Sequence, residues 1–389
     1  MNIPKRLLDW QSEHTAWRRD LHAHPEIAFE EKYTSDFVAA RLKEFGLAVH
    51  RGLAETGVVG TLKGAGSSSR AIGLRADMDA LPIEERTNLP YQSQTKGKMH
   101  ACGHDGHTTM LLAAARYLSE SSKLNGTVHF IFQPAEENEG GGRVMVEQGL
   151  FERFPCDEIY GMHNWPGLPV GQFATRPGAI MASFDVFEII IHGRGSHAAK
   201  PQLGVDPIVV ASHLVTALQS IVSRNVDPLE QAVVSVTQIS AGDTWNVIPE
   251  SAVLRGTTRS FQADLQDLME DRIRQISQGI GEAFGAGIEL RYERRYPATI
   301  NEAISTVKAA SAATDIVGSE RVHMNPQPSM GAEDFAFMLH QKPGCYIWAG
   351  NGSSEGNRLL HNPHYDFNDE LIPVGAAYWI RLAEKLLTD

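Results

Sequence analysis

The sequence predicts an α/β layered domain interrupted by a smaller α+β insert of βαββαβ order. Three observations carry that expectation. Short β-like runs at 58–62, 70–75, 125–132, 158–162 and 345–349 alternate with helical stretches at 108–119, 302–317 and 369–387, the pattern of an α/β layer. Between residues 183 and 293 the order changes to strand, helix, two strands, helix, strand, the split βαβ sandwich. A length of 389 residues favours two domains. The expected division is a main domain of 1–181 with 294–389 and an inserted lid domain of 182–293, with hinges near 178–183 and 293–298.

Each element has a local reason. Ile3, Leu7, Leu8, Trp10, Trp17 and Leu21 give the first stretch a rough amphipathic pattern, which His22-Ala23-His24-Pro25-Glu26 breaks. A second helix over 33–45 places Phe37, Val38, Leu42 and Phe45 on one side and stops at Gly46. His22 and His24 resemble a metal pair, but Pro25 makes a turn or a cap the simpler account. In the insert, 184–192 reads as a strand, and Asp206-Pro207 starts a helix with the acid as N-cap and proline in the first turn. Residues 232–240 and 251–258 alternate as strands. Leu265, Leu268, Ile273, Ile276, Ile280 and Phe284 recur at roughly helical spacing, and 287–293 closes the insert as a strand. Asn368 is the expected N-cap of the last helix, with Asp369 and Glu370 in its first turn.

Composition excludes several classes. Hydrophobic content of 42% with 21% charged residues is ordinary for a globular chain. A formal net charge of -12 argues against nonspecific nucleic-acid binding and against an anionic membrane surface. Three cysteines, Cys102, Cys156 and Cys345, read as a reducing compartment rather than a disulfide framework. Met1 to Trp17 has no apolar core of signal-peptide length. No window approaches the ~18 uninterrupted apolar residues of a membrane span, so a soluble cytoplasmic protein is expected.

The chemistry centres on Met99-His100-Ala101-Cys102-Gly103-His104-Asp105-Gly106-His107. Cys102 and His104 flank a glycine at the mouth of a helix, and a soft thiolate with an imidazole suits zinc and other late divalent metals. Further clusters sit at or just after strand ends, or ahead of helices. Asp77-Met78-Asp79 could orient a histidine or bind metal, or simply form a turn. In Gln133-Pro134-Ala135-Glu136-Glu137 one carboxylate can ligate metal while its neighbour reaches a water. Gly161-Met162-His163-Asn164-Trp165 and His361-Asn362-Pro363-His364 supply two more imidazoles. Alone, each has a plain reading as cap, loop or buried polar group. Together, Cys102, His104, Glu137, His163 and His361 are five candidate ligands. Those are too many for one open catalytic zinc, and they fit two metals that clamp a reacting group and make hydroxide available near neutral pH. His100 and His107 are kept as supporting turn and helix-start residues.

The motifs Arg75-Ala76-Asp77-Met78-Asp79-Ala80-Leu81-Pro82, His100-Ala101-Cys102-Gly103-His104-Asp105-Gly106-His107, Gln133-Pro134-Ala135-Glu136-Glu137, Gly161-Met162-His163-Asn164 and Gly331-Ala332-Glu333-Asp334-Phe335 cover nearly the whole chain in order. They resemble the amidohydrolase branch of the M20 metallopeptidases, which includes hippurate hydrolases, auxin-conjugate hydrolases and N-acyl-amino-acid deacylases. The resemblance implies a mixed-sheet, metallo-aminopeptidase-like catalytic domain with a ferredoxin-like lid. It implies two divalent metals per subunit, zinc, manganese, cobalt or nickel, on Cys102, His104, Glu137, His163 and His361. It implies Glu136 as the general base, taking a proton from the bridging water and handing it to the leaving amine, and Asp79 as an orienting acid. In the lid, Gly195-Ser196-His197-Ala198-Ala199 matches a family segment whose histidine helps polarise the scissile carbonyl, often in the neighbouring subunit. Asn246 and Arg259 match positions linked to the substrate's carboxylate. The chain departs from many relatives at Ser196, Lys200 and Gln202, beside His197, which bears on substrate preference rather than reaction type.

The expected activity is cleavage of the amide of an N-acyl or N-aroyl amino acid to a carboxylic acid and a free amino acid. A dipeptidase or carboxypeptidase would use the same site. A non-catalytic small-molecule binder is the alternative of another class. The expected partners are the small substrate and further copies of the chain, as a homodimer or homotetramer, with no nucleic acid and no membrane.

Overall fold

Four parallel strands form the middle of an eight-stranded mixed sheet. Across the sheet the order is Ala48–Leu53, Gly57–Lys63, Thr127–Gln133, Ala71–Asp77, Glu158–Pro166, Gly344–Gly352, Phe173–Thr175, Val322–Met324. The third to sixth run parallel to one another, the second and seventh are antiparallel to their neighbours among them, and the outermost strand pairs antiparallel at the first edge and parallel at the last. The computed structural model describes residues 1–121, 124–137, 139–355 and 358–388. Ala71–Asp77 is buried along its whole length, as strands covered on both faces are. From it the chain crosses through the helix His104–Ser121 to Thr127–Gln133 on one side, then returns to Glu158–Pro166 on the other. That reversal is a topological switch point, where open α/β sheets place their sites at the carboxyl ends of the strands. Asp77, Gln133 and the residues after them therefore leave the sheet at one edge.

His104–Ser121 is covered on all sides over Met110–Ala115, so its apolar residues are not confined to one stripe. Leu371–Leu387 is similarly buried. Together with Leu74, Phe130, Phe132 and Ile347 these helices make one continuous core.

The chain divides into two compact units: Met1–Ile180 with Ile300–Gln327 and Asp334–Asp389, and Met181–Thr299 with Pro328–Glu333. The second unit has its own core. Its four antiparallel strands lie in the order Ala232–Ala241, Ser251–Ser260, Phe184–His192, Gly287–Tyr296. Phe187, Ile189 and Ile191 alternate with less buried neighbours and pack against Leu214 and Leu218 of the helix Pro207–Arg224 and Met269 and Ile273 of Ala263–Phe284. Asp206 caps the first of these helices, its carboxylate accepting the Ile208 and Val209 N–H groups.

Some expectations shift. The last helix starts at Leu371, not Asp369. Asn368 still accepts the Glu370 N–H, but in the turn ahead of the helix, because Asp369 is held by Arg18 and Arg19. The central helix starts at His104 rather than Thr108. Ala71–Asp77 extends two residues past Arg75, so Asp77 is buried in a strand. The strand Ala48–Leu53 and the short strands at 173–175 and 322–324 were not legible from alternation.

Two buried charges set the geometry beneath the sheet edge. Arg75 donates to Asp77 (2.8 Å), Gln133 (2.8 Å) and Asp334 (2.9 Å). Asp334 also accepts from Gln133 Nε2 and from the Gly142 N–H. Glu31, fully buried, accepts from the Ala135 and Phe29 N–H groups and from the Thr56 hydroxyl. Burial, with the nearby Asp79 charge, pushes its carboxyl up to about 7.

Arg75→Met leaves Asp77 and Asp334 buried without their cation, and should lower unfolding free energy by ~3–5 kcal/mol in denaturant titration; a loss under 1 kcal/mol would remove the guanidinium from its structural role. Glu31 is raised in the folded state, so its contribution is present below its unfolded value of about 4.5 and is lost as pH rises through about 7. Relative to Glu31→Gln, the metal-free parent should therefore lose on the order of 3 kcal/mol between pH 4 and pH 8. Parallel stability curves for the two proteins would contradict this.

Candidate metal centre

The five ligand candidates converge at the carboxyl edge of the parallel strands. Cys102, His104 and His163 place one donor atom each within 4.8 Å of one another, and so do Cys102, Glu137 and His361. Cys102 belongs to both groups. Cys102 Sγ lies 3.3 Å from His163 Nε2, and His361 Nε2 lies 3.1 Å from Glu137 Oε1.

Local backbone geometry makes this convergence possible. Gly103 has φ +92°, and a Cβ there would stand 2.4 Å from Asn164 Nδ2 and 2.5 Å from the Tyr365 hydroxyl. Only glycine fits that left-handed, crowded position. Asn164 in turn donates to the Cys102 carbonyl and accepts from Tyr365. Ala135 (φ +55°) and His361 (φ +60°) are non-glycine residues in the same region, a strain that persists only where surrounding bonds impose it. Glu31 holds the Ala135 N–H, and the Ala101 carbonyl accepts the His361 N–H. The turn at Ala135 lets both adjacent carboxylates, Glu136 and Glu137, approach His104 within 4.8 Å. Glu136 Oε1 accepts the Asp334 N–H at 3.3 Å.

The histidine tautomers follow from their second nitrogens. His163 Nδ1 donates to the Asn164 carbonyl at 2.6 Å, leaving Nε2 as the lone pair that faces Cys102. His104 Nδ1 faces Asp79 Oδ1 at 3.2 Å, and its Nε2 is buried without a hydrogen-bond partner. A carboxylate or carbonyl behind the imidazole is how metal-ligating histidines are usually oriented. His107 differs. Its Nδ1 is held by Asp77 at 2.6 Å and its Nε2 accepts the Asn164 N–H at 2.9 Å, so both nitrogens are engaged. Asp79 also accepts the Glu137 N–H at 2.9 Å, which ties one ligand candidate to another.

Electrostatics favour a cation. Burial, then Glu137, Glu136 and Asp77, push the Cys102 thiol far up. Burial alone would keep His104 neutral, but Asp77, Asp79 and Glu137 overrule it and raise it to about 10. The cluster thus draws a proton onto His104 and refuses the thiolate unless positive charge is added. Divalent cations satisfy both demands, and thiolate, imidazole and carboxylate donors suit late divalent metals. The residues present fit two such ions.

Among the three proposed lid contacts, His197 and Asn246 come together. Ser196–His197 pairs with Val247–Ile248, and the Asn246 carbonyl accepts the Ala198 N–H. Both side chains are exposed, with His197 Nδ1 accepting the Ala199 N–H. Arg259 is not in that cluster. It lies at the other end of Ser251–Ser260, about 26 Å along the strand, donating to the Met330 carbonyl and covering the Phe184 ring.

Sequence reasoning did not find Arg75, Glu31, Asn164 or Tyr365 as organisers of the site. Arg75 had a signal: a charge inside an otherwise apolar strand seldom occurs unless paired. Glu31 and Asn164 act through backbone groups that no pattern marks, and Tyr365 acts through the Asn164 side chain.

The comparisons with known proteins agree with this geometry. The description "Peptidase family M20/M25/M40" matches residues 73–385. The hippurate hydrolase of Campylobacter jejuni is 44% identical over 387 residues, covering all of both chains. The N-acetylcysteine deacetylase of Bacillus subtilis is 41% identical over 95% of this chain and 96% of its own. The crystal structure of the Bacillus subtilis YXEP protein, described as a dinuclear metal binding peptidase from the M20 family, superposes with a TM-score of 0.84 at 36% identity, over 98% of this chain and 99% of that one. The chain belongs to peptidase family M20/M25/M40, and within it is a metal-dependent hydrolase of the amidohydrolase branch.

Proposed function

We propose that the protein hydrolyses the amide bond of N-acyl or N-aroyl amino acids to a carboxylic acid and a free amino acid. The observation that carries this reading is the sharing of Cys102 between two three-donor groups, with Glu136 beside them. The relatives named above, one a hippurate hydrolase and one an N-acetylcysteine deacetylase, support the substrate class.

Cys102, His104, Glu137, His163 and His361 would hold two divalent cations, zinc, manganese, cobalt or nickel. Bound cations supply Lewis acidity toward the amide carbonyl and acidify water near neutral pH. Glu136 takes a proton from the attacking water at a carboxylate oxygen and delivers it to the leaving nitrogen as the C–N bond breaks. Asp79 fixes the His104 ring, and the Asn164 carbonyl fixes that of His163. His197 contacts the scissile carbonyl, and Asn246 and Arg259 reach the substrate's carboxylate from different copies of the chain, since a strand's length separates them within one. A homodimer or homotetramer is the proposed assembly; the exposed Ile208, Val209, Ile239 and Val247 of the second unit support self-association. Its proposed place is the cytoplasm, which suits three buried, unpaired cysteines.

A panel of N-benzoyl and N-acetyl amino acids and dipeptides, assayed with and without chelator, tests the reading. Acyl amino acids should be turned over faster than dipeptides, and chelator should abolish turnover. Glu136→Gln should lower kcat ~10²–10⁴-fold at unchanged metal content; full activity in that variant, or turnover indifferent to chelator, would sink the proposal. Cys102→Ser should reduce bound metal below two ions per chain by elemental analysis, since both donor groups lose a member; retention of two ions would remove Cys102 from the ligand set.

A further inference from the structure

A second buried guanidinium, far from Arg75 in the sequence, reaches the segments that carry two of the ligand candidates. Arg18, on the helix Gln11–Ala23, is fully buried. Its Nε donates to Asp369 at 2.7 Å, and its Nη1 lies 3.5 Å from Asp366 and 3.7 Å from Asp105. The guanidinium covers the Tyr91 ring at 4.5 Å, and the Tyr91 hydroxyl donates to Asp366 at 3.0 Å. Asp105 directly follows His104 in the first turn of His104–Ser121, and Asp366 stands five residues after His361. Arg18 therefore joins the helix that begins with one ligand candidate to the loop that carries another.

The two attachments are unequal. Asp105 is buried in a helix, its carboxylate bonded to His22 Nδ1 at 2.8 Å and accepting the Gly106 N–H at 2.9 Å. It cannot move without the helix. Asp366 and Asp369 are partly exposed, and residues 358–370 form neither helix nor strand. Without the guanidinium, Asp105, Asp366 and Asp369 would face one another as like charges with little water to screen them. The loop carboxylates can swing outwards and Asp105 cannot, so the loop yields.

His361 is the ligand candidate that such a movement displaces. Its side chain is 53% exposed, against 10% for Glu137, while Cys102, His104 and His163 are buried and lie off that loop. Its backbone is held at φ +60° by the Ala101 carbonyl. Two further bonds hold the loop, from the Tyr365 hydroxyl to Asn164 and from the Arg86 N–H to the Pro363 carbonyl, but neither neutralises its acids.

We infer, on the two-ion reading above, that Arg18 is a positioning residue for the cation held by Cys102, Glu137 and His361. By neutralising Asp366 and Asp369 against Asp105 it keeps His361 within reach of Glu137 and Cys102. It thereby sets the affinity for the second ion and not for the first, which belongs to Cys102, His104 and His163.

The test is zinc binding by the full chain, stripped of metal, dialysed against rising Zn²⁺ and counted for zinc per chain by elemental analysis. His361→Ala, the reference, should keep the first ion and lose the second. Arg18→Met should bind the first ion as the parent does and the second about 10–100-fold more weakly. Arg18→Lys keeps the buried charge but not the fork that meets three carboxylates, and should show a smaller loss confined to the same ion, whether or not Arg18→Met folds. Adding Asp366→Asn and Asp369→Asn to Arg18→Met removes the repulsion and should recover most of the second-ion affinity. An Arg18 that only stabilises the fold would weaken both ions together. That result, a second ion unmoved in Arg18→Lys, or no recovery in the triple variant, overturns the assignment while leaving the two-ion reading intact. A parent that binds fewer than two ions counts against that reading itself and leaves Arg18 no second ion to position.

Discussion

A single buried guanidinium holds the floor of the site together. Arg75 stands in the middle of a strand buried on both faces, where an isolated cation would be intolerable. It is tolerated because Asp77, Gln133 and Asp334 surround it. Those partners come from its own strand, the neighbouring strand and a loop more than 250 residues further on. Each partner then does a second task. Asp77 holds His107, Gln133 precedes the turn that carries Glu136 and Glu137, and the Asp334 N–H reaches Glu136. The charge pattern of the floor and the positions of the candidate ligands are thus one problem with one solution.

Above that floor the chain accepts strain. Ala135 and His361 adopt left-handed backbone, and Gly103 occupies a position that any side chain would fill. Such conformations cost of order 1–3 kcal/mol each and survive where neighbouring bonds leave no alternative. Here Glu31, Ala101 and Asn164 supply those bonds. The acids around His104 and Cys102 make the same trade in charge. They crowd together at a cost to the metal-free chain, and that cost makes the cluster receptive to cations.

The mixed aromatic and ionic character of this edge divides the work. Carboxylates, imidazoles and the thiol converge around His163, and Trp165, stacked on Trp348, stands edge-on to it at 6.3 Å. One strand, through its two-residue period, contributes to both.

Much of this was legible in the sequence. Alternating strands and helices gave the α/β layer, and the change of order between 183 and 293 gave the βαββαβ insert, because hydrophobic period is a local property. The ligand candidates Cys102, His104, Glu137, His163 and His361 were visible as residue types placed after strand ends. What local pattern could not carry was decided by packing. Asn368 reads as a helix cap, yet Arg18 and Arg19 hold Asp369 outside the helix. His107 is as conspicuous as His104, but Asp77 and Asn164 occupy both its nitrogens. Asn246 and Arg259 look alike as polar residues of the insert, but a strand's length separates them. The stacking of Trp165 on Trp348 joins residues 183 positions apart, through the parallel pairing of two strands. Residue type and period are written along the chain; which nitrogen is left unpaired, and which ring meets which, depends on contacts that exist only once distant strands share a sheet.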